Sequence, residues 1–214
     1  TTGNSHADMF KNCTSLQTFI VRKGNCPGGC ITSASGMFAN NVMLEELDLT
    51  ILDFSETSNM GSLAQACTNL KKVKINLTGV IKSFHSAFYG CSNLEEVYGL
   101  NDRVGNVLYT LRACSKLEYL ESLDFTNTTD ALGQMFYASW NIPIQDLNIV
   151  GTIPTTFTTD LSILSKLNKK CLLDILNALL YSADGSTLKI GATNLAKLTD
   201  DDISIATNKG WSIV

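Results

Sequence analysis

Hydrophobic residues recur along the first two thirds of the chain in steps of three. Phe88-Tyr-Gly-Cys91-Ser-Asn-Leu94-Glu-Glu-Val97 is the clearest instance: an aromatic residue, then Cys, Leu and an aliphatic residue, each three places on. The same frame stands at Phe10…Cys13…Leu16…Phe19, Phe38…Asn41…Leu44…Leu47, Ala64…Cys67…Leu70…Val73 and Leu111…Cys114…Leu117…Leu120, with a worn copy at Phe136…Ser139…Ile142. Short apolar-x-apolar pairs follow: Phe19-Ile-Val21, Leu47-Asp-Leu49, Val73-Lys-Ile75, Val97 onward, Leu123-Asp-Phe125 and Leu147-Asn-Ile149. A period of two puts the apolar pair on one face of a short strand and its polar neighbours on the other.

The strand starts lie 28, 26, 24, 26 and 24 residues apart. A period in the twenties with Leu-x-x-Leu-x-Leu in each unit predicts a leucine-rich-repeat solenoid. Upstream of the strands, Met60–Cys67, Val80–Phe88, Val104–Leu111 and Ala131–Phe136 carry apolar residues three or four apart, which predicts helices of about two turns. The expected fold is therefore α/β: a right-handed solenoid with short parallel strands on its concave face and short helices on its convex face. The Gly-, Pro- and Cys-rich stretch from Arg22 to Gly36 predicts an irregular excursion there, with a short helix at most before Phe38. After Ile149 the pattern changes. Cys171–Leu180 is the strongest helical segment, Thr199 with Asp202 resembles a capping box, Asn208-Lys-Gly210 is a helix stop, and Trp211–Val214 reads as a last strand. We expect one domain over residues 1–214, with repeats over about 9–150 and a helical C-terminal cap over about 151–214, as an exposed solenoid end requires.

Composition narrows the function. Among 214 residues, 44% are hydrophobic and the net charge is -4, with a sequence pI of about 5.1. A mildly acidic chain has no general attraction for nucleic acid. No apolar run is long enough to insert in a membrane. The start at Thr1-Thr-Gly-Asn-Ser-His6 is neither a signal peptide nor an initiator Met, so the chain reads as a mature or excised fragment from which signal and anchor are absent. Of seven cysteines, Cys13, Cys67, Cys91 and Cys114 share one repeat position and read as small buried hydrophobes. Cys26-Pro-Gly-Gly-Cys30 is a turn-rich loop in which two free thiols and a local disulfide are both open readings.

With this frame in place, the chain resembles the BspA-like subfamily of leucine-rich repeats. Phe88–Val97 and Phe10-Lys-Asn-Cys13-Thr-Ser-Leu16 are the closest copies, and the likeness covers about residues 9–150. The C-terminal stretch Leu188–Trp211 resembles the terminal segment of such proteins from gut Firmicutes and of some phage-associated structural proteins. The resemblance implies a bacterial, extracellular or cell-surface protein that adheres to an extracellular protein or glycan. The alternative it leaves is a structural or receptor-binding part of a phage tail or surface assembly. Asn41, Ala64 and Ser139 depart from the family's usual residues at their positions.

The candidate ligand-binding residues are those that the strands turn outward: Glu46, Asp48, Lys72, Lys74, Glu96, Tyr98, Asp124 and Asn148. Tyr98 would be the aromatic contact. The competing reading is that Lys72 and Lys74, with acidic strands on both sides, form cross-strand ion pairs that merely solvate the face. No catalytic constellation is recognisable. His85 has no Ser or Cys tied to it by a known order, and Asp200-Asp-Asp202 lacks calcium-loop spacing and suits a helix N-terminus. The chain is thus expected to be a non-enzymatic binding module, without metal or cofactor.

Overall fold

A computed structural model describes residues 4–21, 30–77, 79–100, 104–124, 134–139, 142–153, 155 and 159–214. In chain order the elements are β1 (Asn4–Ser5), β2 (Thr18–Ile20), β3 (Ile31–Ser33), β4 (Glu46–Asp48), β5 (Lys72–Lys74), β6 (Ile81–Ser83), β7 (Glu96–Tyr98), β8 (Val104–Asn106), β9 (Tyr119–Leu120), β10 (Leu123–Asp124), β11 (Ile149–Val150) and β12 (Thr159–Asp160). Then come α1 (Lys169–Ala178), β13 (Ser186–Lys189), α2 (Ala192–Leu195), α3 (Asp200–Thr207) and β14 (Trp211–Ile213). This is an α/β protein with a five-strand parallel sheet, in the order β2-β4-β5-β7-β9, and short helices. Register is strict: Phe19, Leu47, Val73, Val97 and Leu120 stand in one row.

The frame residues are the core. Phe38, Leu44, Leu47, Leu70, Val73, Phe88, Leu94, Val97, Leu111, Leu117 and Leu120 are all buried, and buried apolar side chains from Ile31 to Trp211 form one continuous cluster. The cysteine position has a second role. Cys67, Cys91 and Cys114 donate their thiols to the carbonyls of Phe38, Ala64 and Phe88 in the preceding unit, at 3.1, 3.1 and 3.2 Å. Ser139 does the same to Leu111 at 2.8 Å. Cys13 departs from its expected burial and is exposed, since no described segment packs beyond its unit.

The helices expected over Met60–Cys67, Val80–Phe88 and Val104–Leu111 are replaced by turns, and the first half of Ala131–Phe136 lies outside the described residues. Val80–Phe88 and Val104–Leu111 open on β6 and β8, which pair with each other, while β3 is joined to β6 by single-residue bridges through Asn59. These short strands make a second parallel ladder, extended by β1 beside β3. From there to the five-strand sheet, alternate amides point in two directions. Gly36, Phe38 and Asn40 donate to Gly61, Leu63 and Gln65 of the next unit, whereas Met37 and Ala39 donate three residues back, to Ala34 and Gly36. Met60–Cys67 and Phe84–Cys91 repeat this pattern.

The alternation requires left-handed backbone twice per unit: at Asp8 and Asn12, Gly36 and Asn40, Ser62 and Ala66, Ser86 and Gly90, and Tyr109 and Ala113. Each such non-Gly residue costs about 1–3 kcal/mol. A buried Leu or Phe contributes about 1.5–3 kcal/mol, so the three or four core rungs of a unit outweigh that strain. Helical spacing in the sequence was real, but it served the three-residue turn ladder.

Helices occur where the C-terminal segment was expected to have them. The side chain of Asn168 caps α1 by accepting from the Cys171 amide at 2.8 Å. Thr199 and Asp202 form the expected capping box of α3, with the three acidic residues in its first turn. Lys169 of α1 pairs with Asp202 at 2.6 Å and holds that carboxyl at about pKa 2, assisted by hydrogen bonds from Thr199. Leu161–Leu167 forms turns, not a helix, and β12, β13 and β14 make a three-strand parallel sheet. Trp211 is buried and donates its indole N–H to the Leu180 carbonyl at 2.7 Å; Trp140 lies outside the described residues.

Candidate functional site

Strand pairing sets the outward residues in two rows. One runs Thr18, Glu46, Lys72, Glu96, Tyr119; the other runs Asp48, Lys74, Tyr98. Neighbours along a row are about 4.8 Å apart, so opposite charges on adjacent strands can meet. Lys72 pairs with Glu96 and lies over the Tyr98 ring, its Nζ 5.1 Å from the centroid. The Tyr98 hydroxyl donates to the same Glu96 carboxylate at 3.0 Å. The Lys72 ammonium, then the Tyr98 hydroxyl, hold the Glu96 carboxyl below the ordinary value. In return, the Glu96 carboxylate raises Lys72 and Tyr98. Asp48 is satisfied within its own turn, accepting from the Thr50 hydroxyl at 2.6 Å and amide at 3.0 Å, and these bonds lower its pKa.

Six of the eight sequence-derived candidates therefore stand on one face. The reading of Lys72 as a cross-strand ion-pair partner describes it correctly, and a pair this exposed contributes little to stability. Lys74 is different: among the described residues its side chain has no hydrogen bond or ion pair. It borders a cleft of about 570 Å³ together with Thr50, Lys72, Asn76, Tyr98 and Glu121. Across the row, Tyr98 packs on Tyr119 with ring centroids 4.8 Å apart, and Tyr119 is 43% exposed.

The other two candidates stand elsewhere. The strand beside β7 is Tyr119–Leu120, not the expected Leu123-Asp-Phe125; Leu123 and Asp124 pair instead with Ile149 and Val150. The observed register lies three residues earlier, because Leu120 closes one leucine pair and opens the next. Leu117-Glu-Tyr-Leu120 in fact aligns with Leu94-Glu-Glu-Val97. Tyr119 and Glu121 thus take the outward places beside Glu96 and Tyr98, where Asp124 was expected, and that alignment is the signal that points to them. Glu121 accepts the Gly99 amide at 2.6 Å. The side chain of Asp124 lies outside the described residues. Asn148 is exposed and lines a neighbouring cleft of about 660 Å³ with Tyr119, Glu121, Gln145, Asp146 and Lys170.

Burial pushes the Cys67 and Cys171 thiols up to about 11 and Cys114 to about 12, which withholds the thiolate needed for nucleophilic attack. His85 meets the edge of Tyr109, ring centroids 5.7 Å apart, with no side-chain hydrogen bond among the described residues. No group of three His, Cys, Asp or Glu side chains among the described residues could hold a metal ion. No described helix is long and apolar enough to cross a membrane. Cys26 lies outside the described residues, and so does the Cys26–Cys30 pairing; Cys30 is half-buried. No protein-family model, curated protein or solved structure matches the chain.

Proposed function

We propose that the chain is a right-handed leucine-rich-repeat solenoid of the BspA-like kind, and a non-enzymatic module that binds an extracellular protein or glycan on its concave sheet face. The observation that carries the reading is the contrast between Lys74 and its row. Asp48 is bonded to Thr50 and, in the neighbouring row, Glu96 is held by Lys72, while the Lys74 ammonium has no ion pair among the described residues and stands beside the Tyr98–Tyr119 pair. An unpaired cation next to half-exposed aromatic surface is where a ligand gains both a charge partner and apolar contact. Its place on a bacterial surface or in a secreted protein rests on the resemblance of Phe10–Leu16 and Phe88–Val97 to that subfamily.

Arrays of glycans and extracellular proteins would identify the ligand, and variants would place it. Lys74→Glu and Tyr98→Ala should each weaken capture by about tenfold or more, as loss of an interface anchor does, with an unchanged melting temperature. Full capture by both variants, correctly folded, would remove the sheet face from consideration.

A further inference from the structure

A second set of side chains converges on the turns, away from the sheet rows. The Arg112 guanidinium carbon lies 5.0, 5.0 and 4.9 Å from the ring centroids of Tyr89, Tyr109 and Tyr137. Tyr109 and Tyr137 are themselves 6.1 Å apart. Tyr89, Arg112 and Tyr137 each stand two residues before the slot residue of their unit (Cys91, Cys114 and Ser139), so the ladder stacks them in register. The same position holds Lys11, Ala39 and Gln65 in the preceding units, so the cluster is confined to three consecutive turns and is not a requirement of the repeat.

Two further observations mark it. Tyr109 has φ +58°, and it is the one large side chain among the described non-Gly residues with positive φ. The others are Asn, Asp, Ser or Ala, which tolerate or minimise the clash. The ladder imposes this backbone in every unit, so what sets this turn apart is the large ring placed on it. The Arg112 side chain, moreover, has no hydrogen bond or ion pair among the described residues. With rings packed around the guanidinium, the capacity that the described residues leave unspent is the planar N–H edge. That edge takes a carboxylate through two parallel hydrogen bonds.

We infer that Arg112 and the tyrosines around it form a second binding site, for an acidic peptide segment in which a Glu or Asp carboxylate is flanked by apolar side chains. The carboxylate would meet the guanidinium edge, and the apolar neighbours would lie on the outer rims of the rings, of which Tyr137 is 54% exposed. Tyrosine and arginine are the residues that most often anchor protein partners, because both present rigid or planar surface at small entropic cost. This composition favours a peptide over a saccharide.

The site can be probed by following the Arg112 side-chain NMR signals during titration with a capped Leu-Glu-Leu-Glu peptide, its glutamine counterpart and an oligogalacturonate. The glutamate peptide should shift them, and the glutamine peptide should not. Arg112→Gln and Arg112→Lys should each weaken binding by about tenfold or more, one charge-assisted pair being lost or lowered. Tyr137→Ser, at an exposed ring, should also weaken it and guards against misfolding of the Arg112 variants. Lys74→Glu should leave this binding unchanged, which separates it from binding at the sheet face. Equal binding of both peptides, retention in folded Arg112→Gln, or loss in Lys74→Glu would overturn the proposal. Preference for the oligogalacturonate would overturn the peptide assignment.

Discussion

Met60–Cys67 and Lys169–Ala178 both carry apolar residues three and four places apart, yet one is a ladder of turns and the other is helix α1. Their backbones are satisfied by different partners. In α1 the amides bond within the segment and Asn168 caps its start. In Met60–Cys67 every second amide leaves for the next unit, as in Ser62 to His85, Ala64 to Ala87 and Ala66 to Tyr89, at 2.9, 2.7 and 2.7 Å. A two-turn helix is marginal alone, so a stack that offers carbonyls at the strand spacing captures such a segment. The ten-residue α1 has no Gly or Ser and a side-chain cap, and it stays helical.

The largest effect should come from a residue that both regions need in the same form. A Cβ on Gly99, at φ +82°, would lie 1.8 Å from the Ile75 carbonyl oxygen; one on Gly210, at φ +81°, would lie 2.0 Å from that of Ser182. Gly99→Ala and Gly210→Ala should each destabilise by about 3 kcal/mol or more in urea unfolding, since backbone must move. A small effect at either site would mean that its chain crossing is looser than its neighbours require.

The next test concerns the slot residue. Asn41 is fully buried, and neither its side-chain nitrogen nor its oxygen has a hydrogen-bond partner. Cys at the same place in the next three units donates to the preceding unit. Asn41→Cys should stabilise by about 1–3 kcal/mol, the cost of an unsatisfied buried polar group. A loss of stability would show that the amide has a role the thiol cannot fill.

Glycine should act with opposite sign in the two regions. Ala66→Gly, at φ +59°, should raise stability by about 0.5–1 kcal/mol because the residue is left-handed there. Ala206→Gly, in α3 and fully buried, should lower it by about 1 kcal/mol. Thermal melts of the two variants that move in the same direction would erase the distinction between turn ladder and helix.

The smallest effect is electrostatic and belongs to the C-terminal region alone. The Asp202 carboxyl is held at about 2 against an ordinary 3.8, first by Lys169 and then by Thr199. Its contribution is present above the ordinary value and is lost as the pH falls through 3.8 toward about 2. The stability gap between the chain and Asp202→Asn should therefore close over that range, as read from denaturation midpoints at successive pH values. A gap that persists at pH 2 would assign the effect to packing.

Much of the candidate site could be read from residue order. Glu46, Asp48, Lys72, Lys74, Glu96 and Tyr98 were legible because a strand alternates with period two and core leucines mark its buried face. The strand beside Glu96 was not legible, because two overlapping leucine pairs, Leu117…Leu120 and Leu120…Leu123, offer different registers, and only strand pairing chooses between them. The Arg112 cluster was not legible, since Tyr89 and Tyr137 are more than 20 residues from Arg112 in the sequence and become its neighbours only when the turns stack.

The apolar frame, its spacing in the twenties and the capping residues of the C-terminal helices were determined by the sequence, because core burial and caps depend on residue type at short range. Whether a segment with helical spacing became helix or turn was decided by tertiary structure. That choice depends on carbonyls from another unit, which no local pattern can supply. The same stacking left the Lys74 ammonium without an ion pair among the described residues and brought three tyrosines around Arg112.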